Sequence, residues 1–323
     1  MRFLPAPYIL RAGNSVVSNL KFSARSSAKF AAVTAPGGAN IVRQRKYRMR
    51  RNKVNGKAPH IVQYQGSKRL LAPQILQFMP RGLNRLFEPF SGMAAITIAS
   101  ARENRAREYH INDLNEPIVS ILRTAVGSPD ELLENYANIW NGQFSHPDGH
   151  VEHFYSIRGR FNEGENTAEN MLYLLARCVK GSVRYGKNGK FNQSLDKRRH
   201  GTNPANMSRN IRAIFSLLKG RTFSSSLDYR SILEMAQPGD LVYMDPPYQG
   251  VSSAKDNRYF SGLGYEDFSE SLEILNRRNV DFLVSYDGEC GGKSYGTDLP
   301  KSLGCKKFLL NAGISTQATL LGK

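Results

Sequence analysis

Four consecutive residues carry the most specific chemistry of the chain: Asp245-Pro246-Pro247-Tyr248, entered through the apolar run Leu241-Val242-Tyr243-Met244. The two prolines stiffen the backbone and remove two N–H donors. The Asp245 carboxylate and the Pro246 carbonyl can then both accept from one exocyclic amino group. Held in that way, the nitrogen lone pair leaves conjugation with its ring and becomes nucleophilic, which suits methyl transfer to an amino nitrogen. Tyr248 adds a face on which a flat heterocycle can stack. The plainer alternative is a Pro-Pro turn at a strand end with an exposed tyrosine.

Two further clusters lie upstream. Phe87-Glu88-Pro89-Phe90-Ser91-Gly92-Met93-Ala94-Ala95 reads as strand, glycine-containing turn and apolar helix. Gly92 permits close backbone approach to a ligand, and an acid at the strand end suits a cationic or ammonium-bearing one. An ordinary βα turn competes with that reading. Asn112-Asp113-Leu114-Asn115 follows the next strand, with Asp113 25 residues after Glu88. That is near the spacing at which an acid meets a ribose hydroxyl pair in nucleotide-binding folds; a helix N-cap ahead of Pro117 is the alternative.

Two other patterns carry less. Gly288-Glu289-Cys290-Gly291-Gly292-Lys293-Ser294 resembles a phosphate loop, but its leading glycine is one residue too close. His146, His150 and His153 lack a matching Cys or carboxylate pattern and read as a solvated loop, so no metal site is expected. Cys178, Cys290 and Cys305 are odd in number and widely spaced, which excludes a disulfide framework. No cysteine follows a proline as a nucleophile for ring-carbon methylation would, and burial accounts for all three.

The elements that must position these groups are apolar runs ending in polar or acidic residues, which read as buried parallel strands. They cover 85–88, 107–113, 221–228, 240–245, 281–287 and 306–311. Helical patterns cover 93–105, 117–125 and 268–278. This alternation predicts an open α/β sheet, whose ligands sit at the carboxyl ends of its strands. The stretch 126–220 breaks the rhythm, with helical segments at 130–140 and 168–179, an Asn188-Gly189 hairpin-turn signal and the basic tract Lys197-Arg198-Arg199. It reads as an inserted domain, leaving 59–125 and 221–323 as the catalytic domain and 1–58 as a leader without regular structure.

Charge is uneven along the chain. Of 45 Lys and Arg, 13 lie in residues 1–60, and the first of the 27 acids is Glu88. The leader admits three readings: a phosphate-gripping basic arm, an organellar transit peptide, or residues upstream of a true start at Met49. A hydrophobic fraction of 40% excludes global disorder. No run of 18 apolar residues occurs, so no helical membrane span is expected. A net charge of +18 suggests a polyanionic partner without naming it.

Taken together, the motifs resemble the Dam-type (alpha-group) adenine-specific DNA methyltransferases, which use S-adenosylmethionine. The likeness runs from about Tyr64 to the C-terminus in the family's order: cofactor motifs, target-recognition insert, catalytic motif. Tyr64-Gln65-Gly66-Ser67-Lys68 is similar to the family's opening motif, which implies that Tyr64 and Lys68 flank the methionine moiety. Glu88, Pro89, Phe90 and Gly92 match the cofactor loop, departing at Met93 and Ala94, where glycines are common. Asp113 matches the ribose-binding acid, and Asp228 the acid that reaches the cofactor's adenine.

Asp245, Pro246, Pro247 and Tyr248 match the catalytic tetrapeptide, and residues 184–192 the DNA-contacting hairpin. The resemblance implies a Rossmann-like methyltransferase sheet with a mostly helical insertion. It also implies N6 methylation of an adenine flipped out of double-stranded DNA. Arg184, Lys187, Asn188, Lys190, Asn192, Lys197, Arg198 and Arg199 are the implied DNA contacts, the last three as phosphate grips. A cognate restriction endonuclease, a monomeric enzyme and a bacterial or phage-type cytoplasmic setting go with it, organellar targeting being the alternative setting.

N4-cytosine methylation, an RNA or protein amide target, and a DNA-binding module that has lost catalysis are the competing functions. Family members usually continue beyond Lys323 into a last short strand, so an incomplete final sheet edge is expected.

Overall fold

The computed structural model describes residues 6–12, 58–247, 263–290, 293–294 and 298–310. Tyr248, residues 13–57 of the leader and residues 311–323 lie outside the described residues. The described strands are Ala6–Ala12 (β1), Leu83–Glu88 (β2), Ala106–Asn112 (β3), Thr222–Ser225 (β4), Leu241–Met244 (β5), Asp281–Cys290 (β6), Lys293–Ser294 (β7) and Lys306–Leu309 (β8). They form one sheet in the order β4-β3-β2-β5-β6-β1-β8, with β7 paired to β6. The first five of that order run parallel. β1 lies antiparallel between β6 and β8.

The described helices are Ala72–Ile75 (α1), Ala95–Arg102 (α2), Glu116–Gly127 (α3), Pro129–Ser145 (α4), Gly149–Asn162 (α5), Ala168–Arg177 (α6), Pro204–Leu218 (α7), Tyr229–Met235 (α8) and Tyr265–Arg277 (α9). Alternate strand residues set the layers. Phe87, Val242, Met244, Phe282 and Val284 share a core with Ile232 and Leu233 of α8 and Phe268, Leu272 and Leu275 of α9. Each such side chain stabilises by about 1.5–3 kcal/mol when fully buried. Tyr243 and Ser285, at the intervening positions, are fully buried and hydrogen-bonded to each other at 2.7 Å. This is the expected α/β sheet with flanking helices.

At the amino ends of the strands, Asp240 is buried and takes the Arg85 guanidinium at 2.6 Å. That pair ties β5 to β2, the two strands whose far ends carry Asp245 and Glu88. Losing the Arg85 guanidinium would leave the buried Asp240 charge without its cation, a change that costs about 3–5 kcal/mol.

Ser128 alone separates α3 from α4, and α4, α5 and α6 pack on one another. α7 then returns against α2, α3 and α4. His150 and His153 are not in a solvated loop. They lie on α5, whose Phe154, Ile157 and Phe161 bury one face at helical spacing. The His153 ring sits against Tyr173, and its Nε2 is 2.8 Å from the Ile139 carbonyl oxygen. His146 caps the end of α4.

The leader also differs from expectation, because Ala6–Ala12 is a sheet strand. It contains Tyr8 and Ile9, residue types that favour strands. β1 gives β8 its sheet partner and covers the second edge of β6. A chain that starts at Met49 should therefore unfold at a clearly lower urea concentration than the full chain. An unchanged midpoint would show that β1 contributes nothing to stability.

Candidate active site

Four acids stand at or just beyond the carboxyl ends of four neighbouring parallel strands. In sheet order they are Asp228 after β4, Asp113 after β3, Glu88 at the end of β2 and Asp245 after β5. All four line one cleft of about 300 Å³, together with Tyr64, Lys68, Phe90, Gly92, Pro246 and Pro247. Every cofactor-motif residue singled out in the sequence is thus brought to one place. So is the catalytic tetrapeptide, apart from Tyr248, which is outside the described residues.

Glu88 is buried and accepts the Thr97 backbone N–H at 2.9 Å, in the first turn of α2. Burial pushes its pKa up to about 7, outweighing that bond, and the nearby Asp245 charge adds to the rise. Keeping Glu88 ionised without a cationic partner therefore costs on the order of 3 kcal/mol. Asp113 accepts from the Gly92 N–H at 2.8 Å and the Asn115 N–H at 3.0 Å, yet burial still holds its carboxyl above the ordinary range.

Lys68 answers Asp245. Its ammonium lies 2.6 and 2.5 Å from the two carboxylate oxygens, with both side chains largely shielded from solvent. Asp228 is half-exposed and also caps α8, accepting from the Arg230 N–H at 2.9 Å. Phe90 packs against Tyr229 with ring centroids 5.2 Å apart.

The turn before α2 shows what the Met93-Ala94 departure costs. Ala94 takes left-handed backbone (φ 52, ψ 41), so α2 begins at Ala95 instead of residue 93. A glycine would avoid the steric penalty of roughly 1–2 kcal/mol at that position. Gly92 itself has φ 48, and a Cβ there would approach the Tyr64 ring to 2.8 Å. The Tyr64 ring therefore packs closely on the loop that Glu88 and Asp113 frame.

Sequence reading missed the brace beneath these acids. Asn112, almost fully buried, donates to the Pro89 and Leu227 carbonyls at 3.1 and 2.9 Å. Its own amide oxygen accepts from the Leu227 N–H at 2.9 Å and the Ser225 hydroxyl at 2.8 Å. One side chain thus spends all its hydrogen-bonding capacity joining the ends of β2, β3 and β4. The available signal was a polar residue directly before the strand-end acid. Leu114 and Leu227, each about half-exposed on the cleft, were also passed over as apolar surfaces for a flat ring.

The eight candidate DNA contacts lie outside the cleft and are all exposed. Residues 184–192 form a hairpin closed by Gly186 N–H to Lys190 O (2.8 Å) and Asn192 N–H to Arg184 O (2.9 Å). Its turn spans Gly186 to Gly189, with Gly189 in left-handed backbone (φ 72). Arg198 and Arg199 both face Asp196, at 3.2 and 3.5 Å, so part of their charge is met within the chain.

The state of Glu88 sets a pH dependence. An ammonium-bearing ligand needs Glu88 ionised, so affinity is full above about pH 7 and falls as pH drops through that value. Titration calorimetry with S-adenosylhomocysteine should show weaker binding and proton release at pH 6 compared with pH 8. A Glu88→Gln variant should bind weakly without that slope. Affinity independent of pH in the unsubstituted protein would remove Glu88 from ligand binding.

With the geometry in place, the chain can be set beside known proteins. It is 27% identical over 251 residues to the Type II methyltransferase M1.LlaDCHI of Lactococcus lactis subsp. cremoris, covering 73% of this chain and 83% of that protein. It is 26% identical over 215 residues to the Retron Ec67 DNA adenine methylase of Escherichia coli, covering 65% and 68%. The DNA N-6-adenine-methyltransferase of Escherichia phage P1 is 25% identical over 239 residues, which are 71% of this chain but only 30% of that longer protein. The family model described as D12 class N6 adenine-specific DNA methyltransferase matches residues 64–309, the span that holds every described residue of the cleft. The chain therefore belongs to the D12 class N6 adenine-specific DNA methyltransferases, enzymes that methylate adenine in DNA with S-adenosylmethionine.

Proposed function

We propose that this chain is a site-specific enzyme acting on an adenine flipped from the duplex, with the four strand-end acids divided between cofactor and base. The observation that carries the division is their order along the sheet: Asp228, Asp113, Glu88, then Asp245 with Pro246.

The residues present fit S-adenosylmethionine. Buried Glu88 wants a cation, and the methionine ammonium is one. Asp113 suits a ribose diol, while Leu114, Leu227 and Phe90 offer apolar surface to a purine ring, with Asp228 at its polar edge. Tyr64 over Gly92 closes the floor of the cradle. When bound, the cofactor supplies a methyl group activated by a sulfonium sulfur.

The rest falls to the chain. The Asp245 carboxylate and Pro246 carbonyl accept the two amino hydrogens of the adenine, which aims the nitrogen lone pair at the methyl carbon. As the new C–N bond formed and the methyl–sulfur bond broke, leaving a neutral thioether, the nitrogen would become cationic, and the Asp245 carboxylate would stabilise that charge and receive the surplus proton. The Lys68 ammonium offsets the Asp245 charge beside Glu88. Such catalysis is orientation and charge placement. The base must leave the stack first, because its amino group is out of reach within the helix.

Residues 126–220 we read as the inserted target-recognition region between the two catalytic stretches, 59–125 and 221–323. On this reading Arg184, Lys187, Asn188, Lys190 and Asn192 contact the duplex, a few of them reading base edges. Lys197, Arg198 and Arg199 are placed to meet phosphates, which position the duplex without specifying sequence. The Asp196 pairs of the two arginines lower their share relative to Lys197.

Asp245→Ala should lower methyl transfer to DNA by at least about a hundredfold, the scale seen when an oriented charge is removed. Cofactor binding, measured separately by calorimetry, should survive. Activity within tenfold of the unsubstituted enzyme would take Asp245 out of the catalytic role.

A further inference from the structure

The DNA hairpin is fastened to the cofactor cleft at two points. α6 ends at Arg177 with Cys178 as its C-cap, and past Val179 both Lys180 and Gly181 take left-handed backbone (φ 62 and 57). Gly181 is pressed onto the segment before Lys68: its carbonyl accepts the Gln65 N–H at 2.9 Å, and a Cβ at Gly181 would collide with the Gln63 carbonyl. No other residue type fits there. Ser182 and Val183, the next two residues, line the cleft itself. The hairpin therefore starts from the cofactor wall.

The second fastening is a side-chain bond. Tyr185, on the first arm of the hairpin, donates its hydroxyl to Asn115 Oδ1 at 3.0 Å. Asn115 is buried, caps the start of α3 and donates its backbone N–H to Asp113 Oδ1 at 3.0 Å. Asp113 Oδ2 in turn holds the Gly92 N–H at 2.8 Å. One hydrogen-bonded path thus runs from the hairpin through Asn115 to the carboxylate assigned to the ribose, and on to the cofactor loop. Burial pushes the Tyr185 phenol up to about 12, so its hydroxyl remains a neutral donor at working pH.

We infer that the Tyr185–Asn115 bond is a positioning strut that couples the two substrates: a ligand engaging Asp113 fixes Asn115, and Asn115 fixes the angle of the hairpin on DNA. Neither residue touches the reacting atoms. The coupling is reciprocal, so DNA on the hairpin should tighten the cofactor by the same factor. This rests on the reading of residues 184–192 as a DNA contact.

The test is a thermodynamic cycle with the full chain. The affinity of a fluorescent duplex that the enzyme methylates is measured with and without saturating S-adenosylhomocysteine. The unsubstituted enzyme should bind the duplex at least about fivefold tighter with the ligand, the lower end of usual couplings. In Tyr185→Phe, which keeps the ring and loses only the hydroxyl, the ratio should fall to within twofold of one. Asn115→Ala should do the same from the other end. A ratio of one in the unsubstituted enzyme, or an undiminished ratio in Tyr185→Phe, overturns the strut. The double variant Lys187→Ala/Lys190→Ala should weaken DNA with and without the ligand and leave the ratio unchanged. Unaltered DNA affinity in that variant would instead refute the hairpin's contact with DNA, a failure separate from that of the strut.

Discussion

Bringing Glu88, Asp113 and Asp245 into one cleft is electrostatically unfavourable, and much of the surrounding structure serves to hold them there. Like charges repel, and burial penalises each ionised form. The fold offsets this with N–H donors from the first turn of α2, from Gly92 and from Asn115, and with the Lys68 ammonium on Asp245. What those donors leave unmet is a demand for a cation at Glu88. On the proposed reading, the ammonium group of the methyl donor answers that demand.

The acids can only converge because their strands are locked in register. Asn112 ties the carboxyl ends of β2, β3 and β4, and the Arg85–Asp240 pair ties β2 to β5 from the opposite end. Between them lies the apolar core shared with α8 and α9. The Asp245 carboxylate is therefore fixed relative to Glu88 and Asp113 by three separate means: backbone ladders, one saturated amide and one ion pair. The hairpin of residues 184–192 is not carried on a free linker either. It leaves the cleft wall at Gly181 and is bonded back to the start of α3.

Much of this was legible in the sequence for physical reasons. Parallel strands buried on both faces read as apolar runs, and the acid that ends each run marks the ligand side of the sheet. Asn188-Gly189 announced the hairpin because Gly189 supplies the left-handed backbone (φ 72) that its turn needs. What escaped notice has equally physical causes. β1 hid in a basic, acid-free segment whose pairing with β6 spans more than 260 residues of sequence, a contact no local pattern encodes. α5 was obscured by two histidines and an opening glycine, although its phenylalanines kept helical spacing. The Asn112 brace and the Tyr185–Asn115 bond depend on which side chains meet across the fold. Ala94 kept the cofactor turn by accepting backbone strain that composition alone does not reveal.

The central claim is that this cleft sets an adenine amino nitrogen against a methyl donor. Unmethylated DNA incubated with the protein and methyl-labelled S-adenosylmethionine, then digested to nucleosides and separated by mass, tests it most directly. The account predicts label in N6-methyldeoxyadenosine alone. Label in N4-methyldeoxycytidine, or in no nucleoside, would contradict it.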